Sequence, residues 1–548
     1  MSDSNKSPSS IPAFVLGAAF FYFASLSPEG APQWFFGILG ALSMLTGLNR
    51  LNQNLDQDRK IEAANTPSGN FGSARFANKR ECAAAGLDDP NGLFLGTHEG
   101  EMLFHNGKAH LLTVAPARTG KGISVVTPNL LHWGGSIFVT DPKGELAGMT
   151  ARHRAELWNQ KVCILNPWGL HGLPQHRFNP LAVLVDLYND EALRRSLTGE
   201  VRDLALQLVP EPEGEAKNRF FREGSRKLLR ALMLHMATRD CPERCTLPEL
   251  WRMLQSTAHL EEAITSMALS DALDGVIADL AEDVARLMAN NAEQFGDFRE
   301  GAVQAVDIFE PSGWLADSVS ASDFSFAELK SRPTTIYLVI PQDEIGTHGA
   351  WLGLLARQAI DAVARQHGNE QVLFLLDEAS NMGRIHNLTE SLTALPGLGV
   401  RVWMIVQELA ELRRVYGKEA TATIMSQSEV VQFFAVQNHD LAKEISAALG
   451  TRTVITHNIN LGRTIDENAG ESRSETARPL MSPDEIRMLP RDKQILFVQN
   501  APPILAQRVP FWSVRPWGDW AEHNPVEGNT PRSKATFRMR YLINGVKV

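Results

Sequence analysis

A chain of 548 residues that is 44% hydrophobic and 21% charged has enough apolar content for more than one folded core, which excludes an intrinsically disordered protein. Its formal net charge of −10 excludes a protein that coats nucleic acid by general electrostatics, so any such contact must be local. The cysteines, Cys82, Cys163, Cys241 and Cys245, are too few and too scattered for a disulfide framework or a four-ligand zinc site, and a reducing compartment is expected for most of the chain.

The amino terminus departs from this soluble character. Ile11 to Leu26 carries no charge, and after Ser27-Pro28-Glu29-Gly30 a second uncharged run extends from Ala31 to Asn49. Each is near the ~20 residues that cross a hydrocarbon core, so residues 1–50 are predicted to form a transmembrane hairpin with helices at about 11–27 and 31–49. The connection carries Glu29 and no Lys or Arg, whereas Arg50, Arg59 and Lys60 follow the second run, which places both chain ends on the cytoplasmic side. Gly37 and Ala41 have the spacing of a close helix approach. A signal peptide is the rival reading, disfavoured by the length of the first run, the single early positive charge Lys6 and the second apolar run that follows, and a buried core hairpin is the other alternative.

Residues 51–75 are polar and read as a linker. Beyond them, short apolar runs at 111–115, 136–140, 161–165, 334–340, 371–377, 401–406, 429–436 and 494–499 alternate with helical stretches. Continuous apolar runs of this length suit strands buried on both faces of a mostly parallel sheet. Between 184 and 325 the strand signal gives way to amphipathic helical patterns, such as Arg219 to His235. The pattern predicts an α/β domain over 76–183 and 326–515, interrupted by an all-alpha domain at 184–325. Residues 516–548 read as a polar, loosely ordered tail.

The strand Leu111 to Val114 runs into Ala115-Pro116-Ala117-Arg118-Thr119-Gly120-Lys121-Gly122 and then into an apolar helix from Ile123. In such a strand, loop and helix arrangement, backbone N–H groups converge on phosphate oxygens and a lysine, here Lys121, reaches the outer phosphates. Two residues depart from the general pattern: Ala115 replaces a glycine, and Gly122 replaces the Ser or Thr that offers magnesium a hydroxyl. The apolar strand ending at Leu376 leads into Asp377 and Glu378, suited respectively to holding Mg2+ and to polarising an attacking water. A second strand ends at Gln407, placed to sense the γ-phosphate or orient water, and a third ends at Asp141. Open α/β sheets bind ligands at the carboxyl ends of their strands, where these residues would converge.

The blocks Ala115 to Pro128, Ser136 to Leu146 (SIFVTDPKGEL), Ser322 to Pro341, Leu376 to Ile385 (LDEASNMGRI), Gln407 to Gly417 and Arg478 to Val509 resemble the TraG-like coupling proteins of type IV secretion systems. The resemblance covers most of residues 90–510, and glycine at the position of Gly122 is usual in that family. It implies a RecA-like P-loop NTPase domain binding ATP and Mg2+, assembled as a homo-hexamer at the bacterial inner membrane. The implied partners are the apparatus ATPases and inner-membrane components, with a relaxase and single-stranded DNA, effector proteins or both as cargo. The helical insertion would then face substrate. The short loop between the predicted spans departs from relatives with longer ones.

Arg219, Arg222, Arg226 and Arg230 recur at helical spacing and form a candidate substrate stripe, with a solvated face paired to nearby acids as the alternative. Arg401 is the candidate for an arginine supplied across a ring interface. Two other functions stay open at this stage: a nucleotide-binding receptor with little hydrolysis, and a DNA translocase of the FtsK kind.

Overall fold

The structure, a computed structural model, describes residues 11–26, 33–212, 217–368, 370–460, 470–528, 535–543 and 546–547. It separates into two compact units, one comprising residues 1–75 with 446–482 and the other 76–445 with 483–548. The larger unit holds an eleven-stranded sheet. In chain order its strands are β1 (Leu93–His98), β2 (Glu101–His105), β3 (His110–Val114), β4 (Ser136–Asp141), β5 (Lys161–Leu165), β6 (Thr334–Val339), β7 (Val372–Leu376), β8 (Val400–Val406) and β9 (Ser428–Phe433). A hairpin of β10 (Thr451–Asn460) and β11 (Gly470–Pro479) belongs to the smaller unit, and β12 (Lys493–Val498) and β13 (Ile504–Gln507) complete the sheet.

The spatial order is β2-β1-β13-β12-β9-β3-β8-β7-β4-β6-β5. From β9 to β5 every pairing is parallel, and from β9 outward through β12, β13, β1 and β2 every pairing is antiparallel. Strands β4, β6, β7 and β8 are buried along their whole length, which explains why their sequences are apolar throughout instead of alternating. A buried chain of polar side chains crosses from the parallel to the antiparallel half. The Trp403 indole N–H donates to Thr113 Oγ1 (2.9 Å), Thr113 donates to Gln432 (2.8 Å), Gln432 bonds to Gln494, and Gln494 donates to the Leu95 carbonyl (2.5 Å). The first three bonds join neighbouring strands and the last reaches past β13 to β1, so the row ties the two halves of the sheet together with its polar groups partnered.

The eight apolar runs read as strands all coincide with strands, and the described residues between β5 and β6 form helices and turns, as expected for an insertion. Three features differ. The polar residues 51–65 are not an irregular linker, because the second helix runs unbroken over Gln33–Asn65; Leu51, Leu55, Arg59, Lys60, Glu62 and the alanines are good helix formers. The described part of the C-terminal segment is packed, not loose. Trp517 is fully buried and joins Phe94, Phe104, Leu131 and Met149 in an apolar cluster, with Trp520, Phe537 and Tyr541 packed against it. Aromatic side chains supply the burial that its polar composition conceals. Third, residues 446–482 leave the α/β domain predicted for 326–515 and join the amino-terminal unit, where Ser73 bridges to Arg452 and Ser68 N–H donates to Glu475 (2.7 Å).

Within the smaller unit Ile11–Leu26 pairs with the start of Gln33–Asn65. A Cβ at Gly17 would lie 3.2 Å from the Gly40 carbonyl and 3.0 Å from Met44, so Gly17 and Gly40 form the close approach, whereas a Cβ at Gly37 would meet no atom outside its own helix within 4 Å. Among the described residues no helix is long and apolar enough to cross a membrane. The predicted connection Ser27 to Gly30 lies outside the described residues.

Candidate functional site

Register brings the ends of β3, β8, β7 and β4 side by side: Val114 lies opposite Val406, Leu376 opposite Met404, and Val139 opposite Leu375. The loop from Ala115 to Gly122 leaves β3 at this carboxyl edge. Ala115 is buried and its N–H donates to the Val406 carbonyl (2.9 Å); a buried side chain occupies the position of the missing glycine. Pro116 is partly buried, Ala117 and Arg118 project into solvent, and Arg118 sits at φ +59. The Thr119 hydroxyl donates to the Pro116 carbonyl (2.6 Å), closing the turn. Gly120 has φ +89, a conformation that favours glycine. A π-turn over Gly122–Val126 then leads into the helix Thr127–His132, and Ser124 Oγ donates to the Gly120 carbonyl (2.7 Å).

Lys121 is buried, and its ammonium donates to Glu378 Oε1 at 2.9 Å. The other carboxylate oxygen of Glu378 accepts from Gln407 Nε2 at 2.8 Å. One carboxylate therefore joins the phosphate-loop lysine to the residue ending β8. Glu378 is held at φ +56, ψ +39, a left-handed conformation costly for a glutamate, which aims its side chain at the loop. Asp377 beside it accepts from the Glu378 N–H (3.0 Å), and its own carbonyl accepts from Thr140 Oγ1 (2.8 Å). Burial pushes the Asp377 carboxyl up to about 6 against the opposing pull of Lys121. Lys121, Asp377, Glu378 and Gln407 are thus brought together as the sequence predicts.

Other predicted residues are placed differently. Asp141 shares the sheet edge, but its carboxylate is buried and accepts from the Ala147 N–H (2.8 Å), capping the helix Glu145–Glu156; burial raises it to about 7. Its acceptors face that helix, which removes it from the nucleotide ligands. Arg401 lies at the amino end of β8, six residues and roughly 20 Å from Gln407 at ~3.3 Å per residue. Its guanidinium is fully buried and donates to the Ala109 (3.2 Å) and His105 (3.1 Å) carbonyls, and desolvation lowers it to about 10. A buried cation at the opposite edge cannot serve a neighbouring subunit, so Arg401 is a structural residue.

The stripe on helix Arg219–Thr238 is also largely internal. Arg222 and Arg226 both hold Glu211 at 2.7 Å and keep its carboxyl near 2, and Arg226 also bonds to Glu223 (3.2 Å) and the Val209 carbonyl (2.7 Å). Arg219 is exposed and Arg230 half-buried.

One residue at the site is not singled out by the sequence reading. Arg508, just past β13, donates from Nη1 to the Thr119 carbonyl (2.6 Å) and lies over the Phe434 ring at 4.2 Å. It lies within the block Arg478 to Val509, where no pattern assigns it a role, and the crossover bringing the antiparallel strands beside β9 puts it against the Ala115–Gly122 loop.

Comparison with known proteins agrees with this arrangement. The family model described as Type IV secretory system Conjugative DNA transfer matches residues 65–536. The conjugal transfer protein TraG of Escherichia coli is 28% identical over 484 residues, 79% of this chain and 73% of that protein. Protein VirD4 of Agrobacterium fabrum is 25% identical over 430 residues, covering 76% of this chain and 60% of its own length. Among solved structures, the bacterial conjugative coupling protein TrwBdeltaN70 in complex with sulphate superposes with a TM-score of 0.58 at 16% identity, covering 80% of this chain and 93% of that one. The plasmid coupling protein TrwB in complex with ADP and Mg2+ superposes equally, with a TM-score of 0.58 at 16% identity over 80% and 93%. These structures carry the fold, and the family model, matched across most of the chain, carries the kinship: the protein belongs to the type IV secretory system conjugative DNA transfer family.

Proposed function

We propose that this coupling protein is an ATP-driven motor that recruits substrate and delivers it to a type IV secretion channel. The observation that carries the reading is the contact of Glu378 with both Lys121 and Gln407 at the carboxyl edge of the sheet. The donor set fits Mg-ATP: a buried ammonium, a half-enclosed carboxylate at Asp377 and a glycine-containing loop opening a helix. Bound Mg2+ would offset the negative charge of the phosphate oxygens. Lys121 exchanges its carboxylate partner for phosphate, and Glu378, freed from that ion pair but still held by Gln407, accepts a hydrogen bond from the attacking water. Asp377 is the metal ligand, and Gln407 reports the γ-phosphate to β8. Solved TrwB complexes contain the non-hydrolysable analogue ADPNP, or ADP and Mg2+, in keeping with this assignment.

The cargo is a relaxase with its single-stranded DNA, effector proteins or both, the helical insertion faces it, and the assembly is a homo-hexameric ring. The amino-terminal helices form a two-pass anchor in the bacterial inner membrane, with the bulk of the chain cytoplasmic. Support comes from the apolar side chains they turn outward, including Val15, Tyr22, Phe23, Trp34, Ile38 and Leu45. The shorter helix, at 16 residues, rises about 24 Å against a hydrocarbon core of ~30 Å, so insertion requires local thinning or further turns outside it.

The receptor reading is favoured by one observation, the absence of a hydroxyl at Gly122. Steady-state ATP hydrolysis by the detergent-solubilised full chain, with and without single-stranded DNA and beside Glu378→Gln, separates the two. DNA-stimulated turnover that the substitution abolishes supports the motor. ATP binding with no turnover under any DNA condition supports the receptor.

A further inference from the structure

Within the helical insertion, the helices Leu197–Leu208, Arg219–Thr238, Val276–Asn290 and Ala292–Val306 enclose a cavity of about 890 Å³. Its walls are apolar: Leu206, Leu228, Val284, Leu287, Phe295 and Phe298 line it, and the rim carries Phe220, 59% exposed and edge-on to Phe298 at 5.4 Å. Five basic residues also line it, Arg202, Arg226, Lys227, Arg230 and Arg286, against the two acids Glu223 and Asp283. The acids are already engaged, since Arg226 holds Glu223 (3.2 Å) while Lys227 and Arg286 share Asp283 (3.7 and 3.6 Å).

Arg202 and Arg230 are left over. Among the described residues neither has an ion-pair or hydrogen-bonding partner, and the buried Nε of Arg230 meets no acceptor. Desolvation, and after it repulsion from the nearby Arg202 guanidinium, lowers the basicity of Arg230 against the smaller opposing pull of Glu223. Two like charges brought together beside apolar walls, one with a buried N–H unsatisfied, cost free energy that an anionic ligand would recover.

We infer that this cleft is a docking site for an acidic peptide segment of a cargo protein, whose carboxylates pair with Arg202 and Arg230 while aliphatic or aromatic side chains fill the space between Leu206, Leu287 and Phe298. The inference rests on the coupling-motor reading and names a substrate class for its helical insertion. Charge complementarity selects the occupant. A nucleic-acid backbone would satisfy the guanidiniums but leave the aliphatic walls unfilled, whereas a peptide with alternating carboxylates and apolar side chains satisfies both.

The probe is a short fluorescent peptide of alternating glutamate and leucine, with a lysine-for-glutamate counterpart, titrated by anisotropy against the full chain in detergent. The acidic peptide is expected to bind at least tenfold more weakly to Arg202→Glu and to Arg230→Gln, and unchanged to Lys443→Glu, a surface charge control on another element. The lysine peptide is expected not to bind. No binding of the acidic peptide by the unmodified chain, or equal binding by Arg202→Glu, overturns the proposal. So does displacement of the peptide by oligothymidylate, which would assign the cleft to nucleic acid. Binding of a fluorescent ATP analogue is read on the same sample. Peptide capture without nucleotide binding sinks the motor and spares the cleft; nucleotide binding without peptide capture does the reverse.

Discussion

At the level of single residues, the ion pair between Lys121 and Glu378 sets what substitution should do. Lys121→Ala removes the charge proposed to meet phosphate, and ATP binding is expected to fall by tenfold or more in a fluorescent-analogue titration. Asp377 adds a pH dependence. Its carboxyl is raised to about 6, so the protonated form, which cannot ligate metal, takes over as pH falls through that value. Mg2+-dependent nucleotide binding should therefore weaken between about pH 7 and 5, and Asp377→Asn should bind weakly at both ends with no such transition. At Gly122 a Cβ meets nothing within 4 Å, so Gly122→Thr is expected to fold normally and to lower the Mg2+ concentration needed for half-maximal nucleotide binding. Asp377 was legible because it lies where an apolar strand stops, and Lys121 and Gly122 because they close the short loop between such a strand and an apolar helix. Arg401 also flanks a strand, but at the end that enters the sheet, and nothing in the local sequence reveals that its guanidinium is buried. Arg508 was illegible because its role comes from a contact across the sheet with Thr119, almost four hundred residues earlier.

At the level of elements, two close approaches join the helix Ile345–Arg365 to the turn that follows Glu378. A Cβ on Gly349 would lie 2.0 Å from the Asn381 carbonyl and one on Gly353 2.3 Å from that of Met382, so the helix packs directly on the backbone of Ala379–Met382. Gly349→Ala must push that turn away, and with it the strained Glu378. The expected result is an ATPase rate reduced at least tenfold, with the melting temperature lowered only modestly, read by coupled assay and differential scanning fluorimetry. The parallel strands were legible because burial on both faces makes their sequences continuously apolar. Strands β1, β2 and β13 of the sheet were missed: Leu93–His98 contains Gly96, Glu101–His105 begins and ends in polar residues, and Ile504–Gln507 is four residues long and ends in Gln507, so none gives the longer apolar run of the others. The C-terminal segment was misread for a related reason, its few aromatics being diluted by polar neighbours. Trp517→Ala should cost about 3–5 kcal/mol, the usual cost of truncating a buried tryptophan, and lower the melting temperature accordingly.

Over the whole larger unit, the helical insertion must be held firmly to the sheet if it is to report on nucleotide, and the joint is ionic. Glu200, on Leu197–Leu208, accepts from Arg357 (3.2 Å) and Arg365 (2.5 Å) of the helix that packs on the Glu378 turn. Gln207 of the same insertion helix donates to the Arg384 carbonyl (3.2 Å) and accepts from the His386 N–H (2.8 Å), just beyond that turn. Glu200 and Arg357 are both buried; Arg357 also meets the half-buried Asp361 (3.0 Å) and Asp203 (3.6 Å), so losing Glu200 removes its one fully buried acidic partner, and the partner of Arg365, without leaving Arg357 uncompensated. Glu200→Gln is therefore expected to lower the melting temperature clearly and to open the segment around residues 182–208 to limited proteolysis. Glu282→Gln is the control: its pair with Arg286 is exposed on both sides, and such pairs contribute only ~0–1 kcal/mol, so neither readout should move. If both variants behaved alike, the joint would owe its hold to apolar packing, and the path from Glu378 to the insertion would have to run through Gln207 alone.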